Sequence, residues 1–122
     1  MSRVHELIAA RIVALYDALN ARDIGAVTDR FAAGVDWPDA WEGGRVVGRD
    51  AVRAYLLRQW AVIGPDVRPR LVRELPDGRY EALVDQVIRD RDGHLLSEAV
   101  VLHTYTVEDG LIARLDVGDP LI

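Results

Sequence analysis

The sequence predicts an α+β domain in which three helices precede a meander of antiparallel strands, and three observations carry that prediction. Apolar residues recur at three- and four-residue steps over residues 4–20 and again over residues 50–63. After Pro65 the pattern changes to strand-like runs separated by Asp-Gly turns at 77–78, 92–93 and 109–110. Helices grouped ahead of hairpin-linked strands argue against an alternating parallel α/β sheet. A chain of 122 residues without a linker, repeat or low-complexity tract fits one domain over residues 1–122.

Each element follows from local chemistry. Val4, Leu7, Ile8, Ile12, Leu15, Tyr16 and Leu19 form the inward stripe of a first helix, with Glu6, Arg11 and Asp17 off it. Asp23 can cap a second helix at about 24–33, with Ile24, Val27 and Phe31 inward and Gly34 as its stop. Val35-Asp36-Trp37 reads as a short strand broken by Pro38, and Val46-Val47 as another after a loop containing Gly43-Gly44. Gly48-Arg49-Asp50 opens a third helix, whose stripe of Val52, Tyr55, Leu56, Gln59, Trp60 and Ile63 ends at Gly64-Pro65. Four strands follow at 67–75, 79–89, 94–107 and 111–117.

Composition narrows the chemistry. With 15 basic against 20 acidic residues the net charge is −5, which disfavours binding through phosphate neutralisation and hence a nucleic-acid partner. Arg68, Arg70 and Arg73 are the one basic concentration, and their spacing reads as the solvated face of a strand. No apolar run reaches the roughly 18 residues a membrane span needs, and the N-terminus is amphipathic, so the expected location is cytoplasmic. The absence of cysteine excludes thiolate nucleophiles, and the absence of lysine excludes Schiff-base chemistry. Serine occurs only at Ser2 and Ser97, neither in a nucleophile-elbow setting. Proton transfer by Asp, Glu, His or Tyr is the chemistry this inventory suits. No cofactor is expected. No metal is expected either, because His5, His94 and His103 lack paired ligand spacing and Asp90-Arg91-Asp92-Gly93 lacks the rest of a calcium loop.

Residues 98–103, Glu-Ala-Val-Val-Leu-His, are apolar on both alternating sets. Helices can cover only one face of such a sheet, so the other face is expected to pair in a homodimer.

Leu15-Tyr16, Asn20-Ala21-Arg22-Asp23 and Phe31-Ala32 resemble the start of SnoaL-like and ketosteroid-isomerase-like domains. Val47-Gly48-Arg49-Asp50-Ala51-Val52 and Tyr105-Thr106-Val107-Glu108-Asp109-Gly110-Leu111-Ile112 continue the likeness in the same order. The resemblance implies the cone-shaped nuclear-transport-factor-2-like fold, with three N-terminal helices on a curved, mainly antiparallel sheet, and a dimer. It does not select among isomerases, cyclases, dehydratases, epoxide hydrolases and non-catalytic binders.

Candidate site residues come from both sources. By similarity, an aspartate at the position of Asp39 is the proton-shuttling base of ketosteroid isomerases, and flanking by Trp37 and Trp41 should partly desolvate it and strengthen it as a base; it also suits a turn after Pro38. Tyr16 matches the family's oxyanion donor, or is a core tyrosine on a helix stripe. The family's second acid is missing; His103 stands near its place and is either an acid–base partner or a satisfied strand histidine. Asp116 is a further candidate base if it faces inward beside His103, and a solvated charge if it does not. Trp37, Trp41, Tyr55 and Trp60 would line a pocket for a flat hydrophobic ligand, with Gln86 orienting it. The expected function is cofactor-free isomerase, cyclase or dehydratase chemistry on a hydrophobic carbonyl compound; the alternative is a binder or dimeric interaction module.

Overall fold

The computed structural model describes residues 3–120. Its elements are α1 (Arg3–Asn20), α2 (Ile24–Thr28), β1 (Phe31–Pro38), β2 (Arg45–Val47), α3 (Arg49–Val62), β3 (Ile63–Glu74), β4 (Tyr80–Asp90), β5 (Leu95–Glu108) and β6 (Leu111–Gly118). The strands form one six-stranded sheet in the order β2-β1-β6-β5-β4-β3. Every pairing is antiparallel except that of β1 with β6. The α+β class, three helices on a curved and mostly antiparallel sheet, is as the sequence predicts.

Two boundaries differ, and both for tertiary reasons. The second helix ends at Thr28 instead of near residue 33, because Phe31 is drawn into the sheet opposite Ile112. Ile112 N donates to the Arg30 carbonyl at 2.8 Å, a long-range bond that local periodicity does not reveal. Gly34 consequently lies inside β1 and stops nothing. At the other boundary, Gly64 and Pro65 do end the helical pattern but belong to β3, which starts at Ile63. Pro65 pairs with Ile88 on β4; β3 is an edge strand, where a missing N–H costs little.

α1 ends in a Schellman arrangement, with Asp23 N donating to Ala18 O (3.0 Å) and Arg22 N to Leu19 O (3.2 Å). Arg22 therefore occupies the left-handed position at φ 57°, usually taken by glycine. Asp23 caps α2 by accepting from Ala26 N at 3.2 Å.

The core lies between the helices and the concave face. Ile12, Leu15 and Tyr16 of α1, Phe31 and Val35 of β1, Val52 of α3, Val84 of β4 and Tyr105 of β5 are all fully buried there. Arg68, Arg70 and Arg73 carry exposed charges, paired with Asp66, Asp85 and Glu81 respectively. They form a solvated ionic fringe on the edge strand and no open basic patch.

Candidate functional site

A cavity of about 150 Å3 opens between the concave face of the sheet, the end of α1 and the inward side of α3. Its apolar wall includes Leu19, Trp37, Leu56, Trp60, Ile88 and Leu115. The polar groups around it are the side chains of Arg22, Tyr55, Gln59, Gln86 and His103. No Asp or Glu lines it among the described residues.

His103 is the best-defined polar group in that wall. β5 places it opposite Ala82 on β4 and Val117 on β6, in the inward set with Tyr105. It is 7% exposed. Its Nδ1 lies 2.8 Å from the Tyr16 hydroxyl, with the two rings 13° from parallel. The Tyr105 hydroxyl, also buried, lies 2.8 Å from that of Tyr16 and donates to it. Hydrogen-bond accounting then fixes the direction of the chain. Among the described residues Tyr105 has no acceptor other than Tyr16, so the Tyr16 proton goes to His103 Nδ1. Reversing the chain would strand the Tyr105 proton in the core. The imidazole is therefore neutral with its remaining proton on Nε2, and the residue forms part of the cavity wall.

Burial reinforces this protonation pattern. It lowers the His103 pKa to about 4, since the surroundings do not compensate a buried imidazolium. Burial also drives both tyrosines far above the ordinary phenol range, so the three groups hold their protons as a neutral relay.

The sequence-selected residues separate into groups. Tyr16 and His103 are brought together, but Tyr16 does not line the cavity; its hydroxyl is spent on His103. Asp39 lies at the turn after β1, where Oδ1 accepts from the Trp41 and Glu42 amides, each at 3.0 Å. The expected sandwich of two indoles around it is absent. Trp37 packs inward against Phe31 (5.1 Å between rings), while Trp41 is 48% exposed and leans on Tyr55 at 6.2 Å. Asp116 does not meet His103. It is registered against Thr104, one residue along from the His103–Val117 pair, so the pleat sends it to the opposite face. There Arg114 (Nε to Oδ2, 3.0 Å) and Arg45 (3.4 Å) hold it, and both arginines also bind Asp36. The Arg114 hydrogen bond is the main reason the Asp116 carboxyl is held below its usual range.

Trp37, Tyr55, Trp60 and Gln86 line the cavity and Trp41 does not. The Tyr55 hydroxyl accepts from Ala40 N at 2.9 Å and, more weakly, from Gln59 Nε2 at 3.5 Å. Burial, the largest influence on it, keeps that phenol protonated. Two relevant residues carried weak sequence signals. Tyr105 is two positions from His103 and so shares its strand face, which was the available clue. Arg22 only broke a helical pattern.

Away from the cavity, ligand-type atoms of Asp90, Asp92 and His94 come within 4.8 Å of one another at the β4–β5 turn. The turn itself explains them: Asp90 Oδ1 accepts from the Asp92 and His94 amides, each at 2.9 Å.

With this geometry in place, the family model of the SnoaL-like domain matches residues 12–115. The chain belongs to the SnoaL-like domain family. No curated protein matches it in sequence. Solved structures agree on the nuclear-transport-factor-2-like fold. A candidate polyketide cyclase from Pseudomonas putida KT2440 superposes with a TM-score of 0.80 at 18% identity, over 93% of this chain and 92% of that one. An NTF2-like protein of unknown function from Burkholderia pseudomallei K96243 also gives 0.80, at 20% identity over 98% and 92%. A Mycobacterium tuberculosis protein in complex with estradiol-17beta-hemisuccinate gives 0.80 at 17% identity, over 94% and 95%. Identities this low speak to fold. SnoaL-like members share the scaffold, and the cavity residues must argue the rest.

Proposed function

We propose that this SnoaL-like protein binds a compact, mainly apolar small molecule bearing an oxygen acceptor, and that His103 Nε2–H holds that oxygen. The observation that carries this reading is the Tyr105–Tyr16–His103 relay, which presents a neutral imidazole donor to a largely apolar cavity. A fixed donor in low dielectric suits a carbonyl, or the enolate oxygen a carbonyl becomes when a neighbouring C–H loses its proton. The size of the guest is bounded. An apolar cavity near 150 Å3 takes a molecule of about one ring, so larger polycycles would have to protrude through the mouth. The steroid ester bound by the Mycobacterium tuberculosis relative supports small-molecule binding by this fold and leaves the guest of this chain open.

Binding has better support than turnover because proton abstraction needs a base within reach. The second reading is cofactor-free isomerase, cyclase or dehydratase chemistry with Asp39 as base. It draws on one observation: Asp39 adjoins the lining residues Pro38 and Ala40, and its Oδ2 has no hydrogen-bond partner among the described residues.

A homodimer through the outer sheet face belongs to the same reading. The register places Leu71, Leu83 and Leu102 in one apolar row across β3, β4 and β5, on the face that the helices leave uncovered.

The test compares acetophenone with ethylbenzene, which differ by the carbonyl oxygen, by calorimetry and by NMR of the His103 ring. Acetophenone is expected to bind at least tenfold tighter, to shift the Nε2–H resonance, and to lose its advantage in His103→Phe. Equal binding of the two, or an advantage that survives His103→Phe, would sink the proposal.

A further inference from the structure

Among the described residues Arg22 is the one charged side chain in the cavity wall, and no carboxylate forms an ion pair with it. Its NH1 donates to the Leu19 carbonyl at 2.8 Å, closing on the end of its own helix. The guanidinium lies 5.6 Å from the centre of the Trp60 ring, which is itself part of the wall. Its other N–H groups make no hydrogen bond, and no carboxylate forms an ion pair with it, among the described residues. The acid that acts on it is Asp66, which forms an ion pair with Arg68 (Nε to Oδ1, 3.1 Å) but whose buried Oδ1 accepts no hydrogen bond among the described residues.

Arg22 borders the cavity but is itself an exposed residue, so solvent shares its charge. Partial burial is the chief factor weighing against the charge; Asp66 opposes that effect, and the neighbouring Arg91 adds to it. Arg91 is held nearby by donating to the Trp60 carbonyl at 2.9 Å. Two cations thus flank Trp60, one of them in the wall, in a chain whose net charge is −5. The backbone adds an independent observation. Arg22 holds a left-handed conformation (φ 57°) at a helix-terminating position that glycine would fill without strain. A side chain retained at a strained position has to be supported by what it contacts.

We propose that the guest of this cavity is an anion, an aryl- or alkyl-carboxylate whose carboxylate is taken by Arg22 at the Trp60 side while its apolar body fills the cavity. This rests on the small-molecule reading above and names the substrate class for that same site. The planar guanidinium offers paired N–H donors that match a carboxylate. Among the described residues the wall contributes no Asp or Glu that would repel the guest. Any carbonyl or hydroxyl on the far side of such an acid would meet His103, so acid and acceptor together would set its orientation.

The experiment titrates the protein at pH 7 with phenylacetate and with the near-isosteric neutral phenylacetamide, by calorimetry and amide NMR. The proposal expects phenylacetate to bind at least tenfold tighter, with an affinity that falls as sodium chloride is raised while that of the amide does not. Arg22→Gln should bring the two ligands within about threefold of each other. Arg22→Gly should do the same while leaving thermal stability equal or higher, because glycine relieves the left-handed strain. Equal affinity of acid and amide for the natural protein would overturn the anion assignment and leave the pocket reading standing. So would a preference for the acid that survives both substitutions. If neither phenylacetate, phenylacetamide nor acetophenone perturbs any cavity residue, the pocket reading itself fails and this assignment with it.

Discussion

The Tyr16 hydroxyl and His103 Nδ1, 87 positions apart in sequence, lie 2.8 Å from one another in the core, and Tyr105 closes the chain behind them. α1 supplies one member and β5 the other two, so the relay also fastens the helix to the sheet. Its effect on the site is indirect. Tyr16 and Tyr105 do not line the cavity but decide which nitrogen of His103 carries the proton.

Tyr16→Phe leaves the Tyr105 hydroxyl and His103 Nδ1 buried without partners. Leaving two such groups unsatisfied should cost about 2–4 kcal/mol, read by urea denaturation. Adding Tyr105→Phe removes one orphan, so the double variant should lose less than the sum of the two singles. Nitrogen-15 NMR of the His103 ring adds a readout that simple packing loss would not move. The Nε2–H tautomer should dominate in the natural protein and give way to a mixture in Tyr16→Phe. Additive losses together with an unchanged tautomer would contradict the relay.

Acid should destabilise the fold through His103. Its folded pKa is near 4 and its unfolded value near 6.5, so between those limits the unfolded chain binds the extra proton. By linkage, stability is then full above about pH 6.5, falls as pH drops toward 4, and loses about 3 kcal/mol from this group. Urea unfolding at intervals from pH 7.5 to 4 would show the slope. His103→Phe should flatten it by that amount, and an identical slope in the two proteins would contradict the assignment.

Asp39 and Asp116 should both be dispensable for binding. Asp39→Asn keeps the acceptor for the Trp41 and Glu42 amides and should leave phenylacetate affinity within about twofold. Asp39→Ala removes that acceptor and should destabilise the turn by about 1 kcal/mol. Asp116→Asn weakens its contacts to Arg114 and Arg45 on the opposite face, with no change in affinity. A tenfold loss of binding in either asparagine variant would return that carboxylate to the site.

The outer sheet face offers a test of assembly. Leu102→Asp places a charge at the β5 end of the Leu71–Leu83–Leu102 row, toward the centre of the sheet. Sedimentation should show a dimer for the natural chain and a monomer for the variant, with unchanged far-ultraviolet circular dichroism. A natural chain that sediments as a monomer at all concentrations rules the dimer out.

The sequence by itself determined the fold class, because that depends on local signals. Helical periodicity at Ile12, Leu15 and Tyr16, the Asp23 cap and the Asp-Gly turns each act over a few residues. It also placed His103 and Tyr105 on one face of a strand, and excluded lysine and cysteine chemistry outright. Only the tertiary structure decided which way the candidates point and whom they meet. Phe31 left its helical pattern because Ile112, far along the chain, offered it a strand partner. Asp116 is separated from His103 by one step of strand register, and in a pleated sheet one step is the difference between two faces. Arg22 looked like a break in a helix until folding set it 5.6 Å from the centre of the Trp60 ring. Periodicity fixes faces along one segment; contacts between segments depend on register and burial, which no local pattern encodes.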